Sequence, residues 1–179
     1  MTRIIAAVLV MLALAVPARA AGAEDLQVFR DVQKQVLRYS QFTIFDTVNA
    51  QIEEGVVTLT GKVTMPYKRN DIEKRVAKLA GVTEVQNNIE VLPVSHFDDQ
   101  LRVGISRAIY GNSNFWHYAS MANPPIHIIV ERGHVTLAGV VNSNVDRMLA
   151  RSLASGFGSF SVTNDLKTDA EVASDLEKI

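Results

Sequence analysis

The chain has 179 residues, of which 47% are hydrophobic and 21% charged, and this length suits one ordinary domain or two very small ones. It contains no Cys, which excludes disulfide scaffolds, thiolate metal sites and cysteine nucleophiles. Lys and Arg number 18 while Asp and Glu number 19, so the overall charge does not favour nucleic acid as a partner.

The first twenty residues have the layout of a secretory signal peptide. Arg3 precedes an apolar run over 4–16, and Ala18 and Ala20 place small residues at the two positions that a signal peptidase reads. A helix of this length rises roughly 20 Å, too little for a hydrocarbon core of about 30 Å. We therefore predict a signal peptide over 1–20, cleavage after Ala20, and a periplasmic mature protein that is peripheral rather than transmembrane.

The rest of the sequence reads as two copies of one module. Residues 54–61 recur 78 positions later as 132–139, and residues 81–89 recur 77 positions later as 158–166. Upstream, Val32 and Val36 match Ile105 and Ile109 at a spacing of 73. The second copy therefore carries an insertion of about five residues, within 111–125 and before its first strand.

Each copy shows the same order of hydrophobic patterns along the chain. A helical pattern comes first, two alternating strands joined at a glycine follow, and a second helical pattern leads into a last alternating strand. The helical patterns consist of Leu26, Phe29, Val32, Val36, Ile72, Val76 and Leu79, then Leu101, Ile105, Ile109, Val145, Leu149 and Leu153. This order predicts an α+β fold of two αββαβ modules, each a three-stranded mixed sheet with both helices on one face.

We assign the first module to residues 25–92 and the second to residues 97–168, with a linker too short for independent movement. Residues 169–179 follow as an acidic C-terminal tail. Two interpretations of this tail remain open: a short helix docked through Val172 and Leu176, or a frayed end.

Six residues shared by the two copies are predicted to be structural: Gly55, Gly61, Asn87, Gly133, Gly139 and Asn164. The first glycine of each pair stands where a tight hairpin needs a positive φ. The second lies on the apolar face of a strand, where we expect it to allow a helix to approach closely. The asparagines fall in register with core positions, so we expect each amide to bond a neighbouring loop backbone.

These repeated motifs resemble the BON-domain family, which is found in tandem in osmotically inducible periplasmic proteins. The resemblance is carried by 55–63 with 81–89 and by 133–141 with 162–166, and it spans 25–168. It implies the αββαβ fold, an exported setting, attachment to the envelope, no cofactor and no known chemistry. It also implies binding of phospholipid surfaces, which is proposed for tandem members.

No motif indicates catalysis or a metal site. None of the four His residues has the spacing that places two ligands on one helix face, and we expect His127 and His134 to be solvated because they alternate away from the core. The glycine-rich residues 155–159 end a helix instead of opening one, so they do not form a phosphate loop. We predict neither enzymatic activity nor a cofactor.

Residues 114–121 concentrate three aromatic side chains, Phe115, Trp116 and Tyr118, including the only Trp. They suit a membrane interface or a protein contact, and the alternative is that they cap the core of a small module. Arg147 and Arg151 lie one turn apart on a predicted helix, where they could meet lipid phosphates or form an ordinary solvated face. These five residues are our candidate contact residues.

Two hypotheses follow for the function. The first is a non-enzymatic periplasmic envelope protein that binds anionic phospholipid or another envelope surface, mainly through its second module, with a role in envelope integrity or stress. The second is a protein–protein adaptor without lipid affinity, which would use Phe115, Trp116 and Tyr118 as its contact.

Overall fold

A computed structural model gives the structure of residues 18–176. The first module consists of α1 (Ala18–Leu37), β1 (Thr47–Glu53), β2 (Val56–Val63), α2 (Pro66–Val76) and β3 (Glu84–Val91). The second consists of α3 (His96–Tyr110), α4 (Trp116–Ala119), β4 (Ile126–Glu131), β5 (His134–Val141), α5 (Asn144–Ala154) and β6 (Ser161–Thr168), and α6 (Asp169–Leu176) follows. The predicted signal peptide lies outside the described residues, except for 18–20 at the start of α1.

The two sheets have the same topology. In each, the middle strand pairs antiparallel with the strand before it and parallel with the strand after the helical crossover, in the orders β1-β2-β3 and β4-β5-β6. The predicted α+β fold of two αββαβ modules is therefore confirmed. The insertion of the second module forms a turn of 3-10 helix (Ser113–Phe115) and α4.

Each module has its own hydrophobic core between its sheet and its helices. In the first, Val32 of α1 and Ile72 of α2 pack on Leu59 of β2. In the second, Ile105 of α3 and Ala150 of α5 belong to the corresponding cluster. The alternation of buried and exposed residues along the strands places these side chains on one face of each sheet.

Three of the predicted apolar helix positions are not in these cores. Leu26 and Phe29 of α1 are partly exposed, because the buried stripe of α1 runs through Val28, Val32 and Val36 instead. Val145 of α5 is also exposed. In both helices a second set of apolar residues lies beside or opposite the buried set, and helical spacing alone does not tell the two apart.

The hairpin glycines have the predicted conformation, whereas the strand glycines have a different reason for their presence. Gly55 and Gly133 both have φ +79°, as a two-residue hairpin turn requires. Gly61 and Gly139 have φ +126° and +120°, and a Cβ there would collide with the carbonyl oxygens of Thr47 and Pro125. These glycines are therefore required by the backbone at the start of the adjacent strand. The prediction that they allow a helix to approach closely is wrong.

The two asparagines donate to the same kind of acceptor, which is not a loop, and Asn164 Oδ1 is buried without a hydrogen-bond partner. Asn87 Nδ2 donates to the carbonyl of Arg69 at 3.1 Å, and Asn164 Nδ2 donates to that of Arg147 at 2.9 Å. Both acceptors lie in the helix that precedes the strand, α2 or α5. The expected loop partner is therefore wrong, and the bonds join the last strand of each module to its second helix.

A segment of the first module packs against the second. Ile44 and Phe45, which precede β1, contact the core of the second module. The Ile44 carbonyl accepts a hydrogen bond of 2.7 Å from the Ile128 N–H, so this segment covers the outer edge of β4. Lys62 also forms an ion pair with Glu131 across the interface. The modules are thus joined by an apolar and a polar contact as well as by the linker.

Candidate functional site

The second module carries exposed side chains on α4 and α5, which we call together the outer helix surface: Trp116, Val145, Met148 and Arg151. Trp116 is 73% exposed, Val145 72% and Met148 71%. Val145, Met148 and Arg151 follow one another at helical spacing along α5, on the side away from the buried Ala150 and Ala154. Large apolar side chains with this exposure, beside a basic group, suit a contact with a partner or a membrane.

Tyr118 and Phe115 hold Trp116 in place without being part of that surface. The Tyr118 hydroxyl accepts a 2.7 Å hydrogen bond from the Asn142 N–H and donates a 3.0 Å one to Asp146, which fastens α4 to the start of α5. The rings of Phe115 and Tyr118 stack at 5.8 Å, and both residues are buried. The structure therefore corrects the prediction of a contact for these two, because they cap the core, and leaves Trp116 as the exposed member.

Arg147 is also unavailable to a lipid phosphate in this conformation. Its guanidinium donates to both carboxylate oxygens of Glu171 in α6 at 3.0 Å, and it lies near the Leu166 carbonyl. The Thr168 N–H and then Arg147 hold the pKa of Glu171 below its ordinary value. Arg151, one turn further on, is exposed. Of the two predicted arginines, only Arg151 lies on the outer helix surface.

Glu171 belongs to the N-terminal cap of α6. The Thr168 N–H donates to Glu171 at 2.8 Å, and the Glu171 N–H lies 3.3 Å from the Thr168 hydroxyl, an arrangement known as a capping box. Of the two interpretations of the tail, the structure has the short helix, and Val172 is half-buried. The acidic helix lies beside Arg147, so it places negative charge next to α5.

The outer helix surface is matched only in part in the first module, where Tyr67, 47% exposed, stands at the position of Val145. At a spacing of 78 residues, Asn70 and Glu73 of α2 stand where Met148 and Arg151 stand in α5. The first module thus has a polar amide in place of the apolar Met148 and a negative charge in place of the positive charge of Arg151. This difference was visible in the aligned repeats, but the sequence analysis did not use it.

A cleft of about 1130 Å³ lies between the two modules, on the opposite face of the second sheet from the helices. One wall is formed by α1 and β1, and the other by the open faces of β4, β5 and β6. The sequence analysis did not anticipate this cleft, because it forms only where the modules meet.

His127, which was expected to be solvated, lies at the junction of the modules. Its Nδ1 donates to the Asp46 carbonyl at 2.6 Å, and its ring lies 5.4 Å from that of Phe42. Burial lowers the pKa of His127, although the nearby Asp46 favours the charged form. The prediction for His127 is wrong because the first module covers its strand, while His134 is exposed.

A buried ion pair lies behind this junction. Asp46 accepts hydrogen bonds from Lys68 Nζ at 2.6 Å, from the N–H and hydroxyl of Thr43, and from those of Thr64. Burial alone would raise the pKa of Asp46, but these hydrogen bonds hold it below its ordinary value. The network fixes the chain just before β1, and hence the carbonyl that receives His127.

The described residues offer no site for a metal or a membrane span. Within 18–176, no three His, Asp or Glu side chains are placed to hold a metal ion. No helix in the same range has the length and apolar character to cross a bilayer.

A family model agrees with the two-module organisation. A model of the BON domain matches residues 25–93 and 116–170, and the second match begins after α3. Two solved structures are similar to this chain, both of CdsD, described as a structural protein of the type III secretion system of Chlamydia trachomatis. The C-terminal domain of CdsD is 16% identical with a TM-score of 0.34, covering 86% of this chain and 70% of that chain.

The second CdsD structure is 14% identical with a TM-score of 0.30, covering 84% of this chain and 97% of that chain. Curated proteins give no match to this sequence. The two regions matched by the domain model make up more than half of the chain, and each contains one of its three-stranded sheets. The chain therefore belongs to the BON domain family.

Proposed function

We propose that this protein is a non-enzymatic component of the periplasmic envelope and that its second module binds anionic membrane surfaces. The observation that carries this proposal is the outer helix surface, where Trp116, Val145 and Met148 are more than two-thirds exposed and Arg151 follows Met148 by one turn of α5. Trp side chains favour the level of lipid headgroups, and a basic side chain near an anionic surface contributes up to about 1 kcal/mol. Family membership supports an envelope-associated role.

Co-sedimentation with vesicles tests this function. Mature protein, residues 21–179, would be mixed with neutral or anionic phospholipid vesicles at low and high salt. We expect retention on anionic vesicles that weakens as salt is raised, because exposed charges are screened. Absence of retention on both kinds of vesicle would overturn the lipid proposal and leave the adaptor hypothesis.

Substitutions locate the contact. Trp116→Ala and Met148→Ser should each reduce retention several-fold, because they remove apolar area that would enter the interface. Tyr67→Ser, on the exposed side of α2 in the first module, is the matched control and should leave retention unchanged. An equal loss in the control would show that the contact is not confined to the second module.

A further inference from the structure

The cleft between the modules is not used by the proposed function. Its floor includes Ile129 of β4, which is only 5% exposed although it points away from the core of its own module. Ala138 and Val140 of β5 lie on the same face, and Phe29 and Leu37 of α1 stand on the opposite wall, 37% and 38% exposed. Ile129 is thus largely covered already, whereas Phe29 and Leu37 leave apolar area open toward the space between the modules.

The charged groups of the cleft lie around this apolar floor and are mainly basic. Lys62, Arg132 and Lys167 line it together with Glu131 and Asp165. Glu131 is already paired with Lys62, and this pairing raises the pKa of Lys62. Lys62 also lies 3.5 Å from Glu90, and the basic side chains that line the cleft exceed the acidic ones by a single charge, which favours an anionic group there.

We propose that this cleft binds an amphiphile with one linear alkyl chain and an anionic head group. Ligand sites are mostly apolar cavities of about 300–1,000 Å³ with a few polar groups, and this cleft of about 1130 Å³ is slightly larger. An apolar floor suits an alkyl chain, and the basic edge suits a carboxylate or a phosphate.

This inference is independent of membrane binding. The cleft lies on the open face of the second sheet, whereas the outer helix surface lies beyond the helices on the other face. A monomeric amphiphile can therefore enter the cleft whether or not the protein binds vesicles.

A chain-length series of fatty acids tests the proposal. Octanoate, decanoate, dodecanoate and tetradecanoate, each below its micellar concentration, would displace a dansyl-labelled undecanoic acid from the mature protein. We expect affinity to rise about tenfold for every two methylenes, as for burial of an alkyl chain. A dodecyl phosphate should bind as dodecanoate does, and dodecylammonium more weakly. Absence of saturable binding, or affinity that does not depend on chain length, would overturn the proposal.

Matched variants place the bound chain. Ala138→Trp fills the floor and should weaken binding at least tenfold, whereas Thr60→Trp stands at the equivalent position of the first sheet, outside the cleft, and should change it less than twofold. Phe29→Ala removes part of the opposite wall and should also weaken binding, which keeps the test valid if Ala138→Trp does not fold. Trp116→Ala should have no effect. Loss of binding in Trp116→Ala with retention in Phe29→Ala would place the ligand on the outer helix surface and contradict the proposal.

Discussion

Asp46 concentrates more polar contacts than any other side chain described in residues 18–176. Both of its oxygens are fully used: one by Thr64, the other by Thr43 and Lys68. A buried charge of this kind contributes little net stability as a pair, but removal of one partner leaves the other uncompensated. The two partners are not equivalent, because the carboxylate has four neutral donors besides Lys68, whereas Lys68 has only the Thr64 hydroxyl besides Asp46.

We therefore expect Asp46→Ala to lower the free energy of unfolding by about 3–5 kcal/mol, and Lys68→Met to lower it by clearly less. After Lys68→Met the carboxylate still accepts four hydrogen bonds, whereas after Asp46→Ala the ammonium is left buried with a single acceptor. Urea unfolding at neutral pH measures both values. Equal losses would show that the ion pair itself, and not the hydrogen bonds around it, is what stabilises this segment.

The repeat did not reveal this network, because the second module uses other residues in the corresponding place. Asp146 stands in α5 where Lys68 stands in α2, and the Tyr118 hydroxyl accepts from the Asn142 N–H as the Asp46 carboxylate accepts from the Thr64 N–H. In the first module Asp46 supplies a carboxylate and Lys68 of α2 an ammonium group. In the second module Tyr118 supplies a phenol and Asp146 of α5 a carboxylate. Sequence repeats show conserved backbone requirements, such as those of Gly61 and Gly139, but not substitutions of this kind.

At the scale of the elements, the first helix of each module carries an aspartate that fixes the hairpin. Asp98 accepts from the N–H groups of Arg132 and Gly133 at 2.8 and 2.7 Å, and Asp25 accepts from those of Glu54 and Gly55 at 3.2 Å. The first helix of each module is thus bonded to the turn between the first two strands, from the first turn of α3 and from two turns inside α1. The two aspartates share the 73-residue spacing of the helix cores, so the repeat contained the signal.

Asp98→Asn should destabilise the protein by about 1–3 kcal/mol, because an amide offers one acceptor where two N–H donors are buried. Asp25→Asn is the matched variant and should cost less than 1 kcal/mol, since its hydrogen bonds are longer and more exposed. Thermal unfolding of both variants measures the difference. A larger loss for Asp25→Asn would contradict this ranking.

Element order and sheet topology could be predicted because alternation and helical spacing are local properties of the sequence. The orientation of α1 and α5 could not, since both helices carry a second apolar set: Leu26 and Phe29 in α1, Val145 and Met148 in α5. Phe29 lines the cleft, and Val145 and Met148 belong to the outer helix surface. The sequence analysis attributed Leu26, Phe29 and Val145 to the core, because helical spacing does not show which face of a helix packs against the rest of the protein.

At the scale of the whole molecule, His127 couples the junction of the modules to pH. As a neutral ring it donates to the Asp46 carbonyl in a largely buried position, and burial lowers its pKa. As pH falls, the unfolded chain takes up this proton before the folded protein does, so the folded state loses stability. The contribution of the neutral His127 ring to the stability of the folded state is therefore fully present above the ordinary His pKa of about 6.5, which applies to the unfolded chain. This contribution is lost as pH falls below that value.

We expect the midpoint temperature of thermal unfolding to decrease as pH is lowered from 7.5 to 5.5 in the unmodified protein. The decrease should be smaller in His127→Asn, because its amide can donate to the Asp46 carbonyl without titrating. The two proteins should differ in the slope of their free energy of unfolding against pH by less than about 1.4 kcal/mol per pH unit, which is the limit for one proton. His134→Asn, with an exposed ring on the neighbouring strand, is the control and should follow the unmodified protein. The same pH dependence in His127→Asn and the unmodified protein would assign the loss to other groups. A smaller dependence in His127→Asn alone would assign it to the junction, where proton uptake acts against the contact between the two modules.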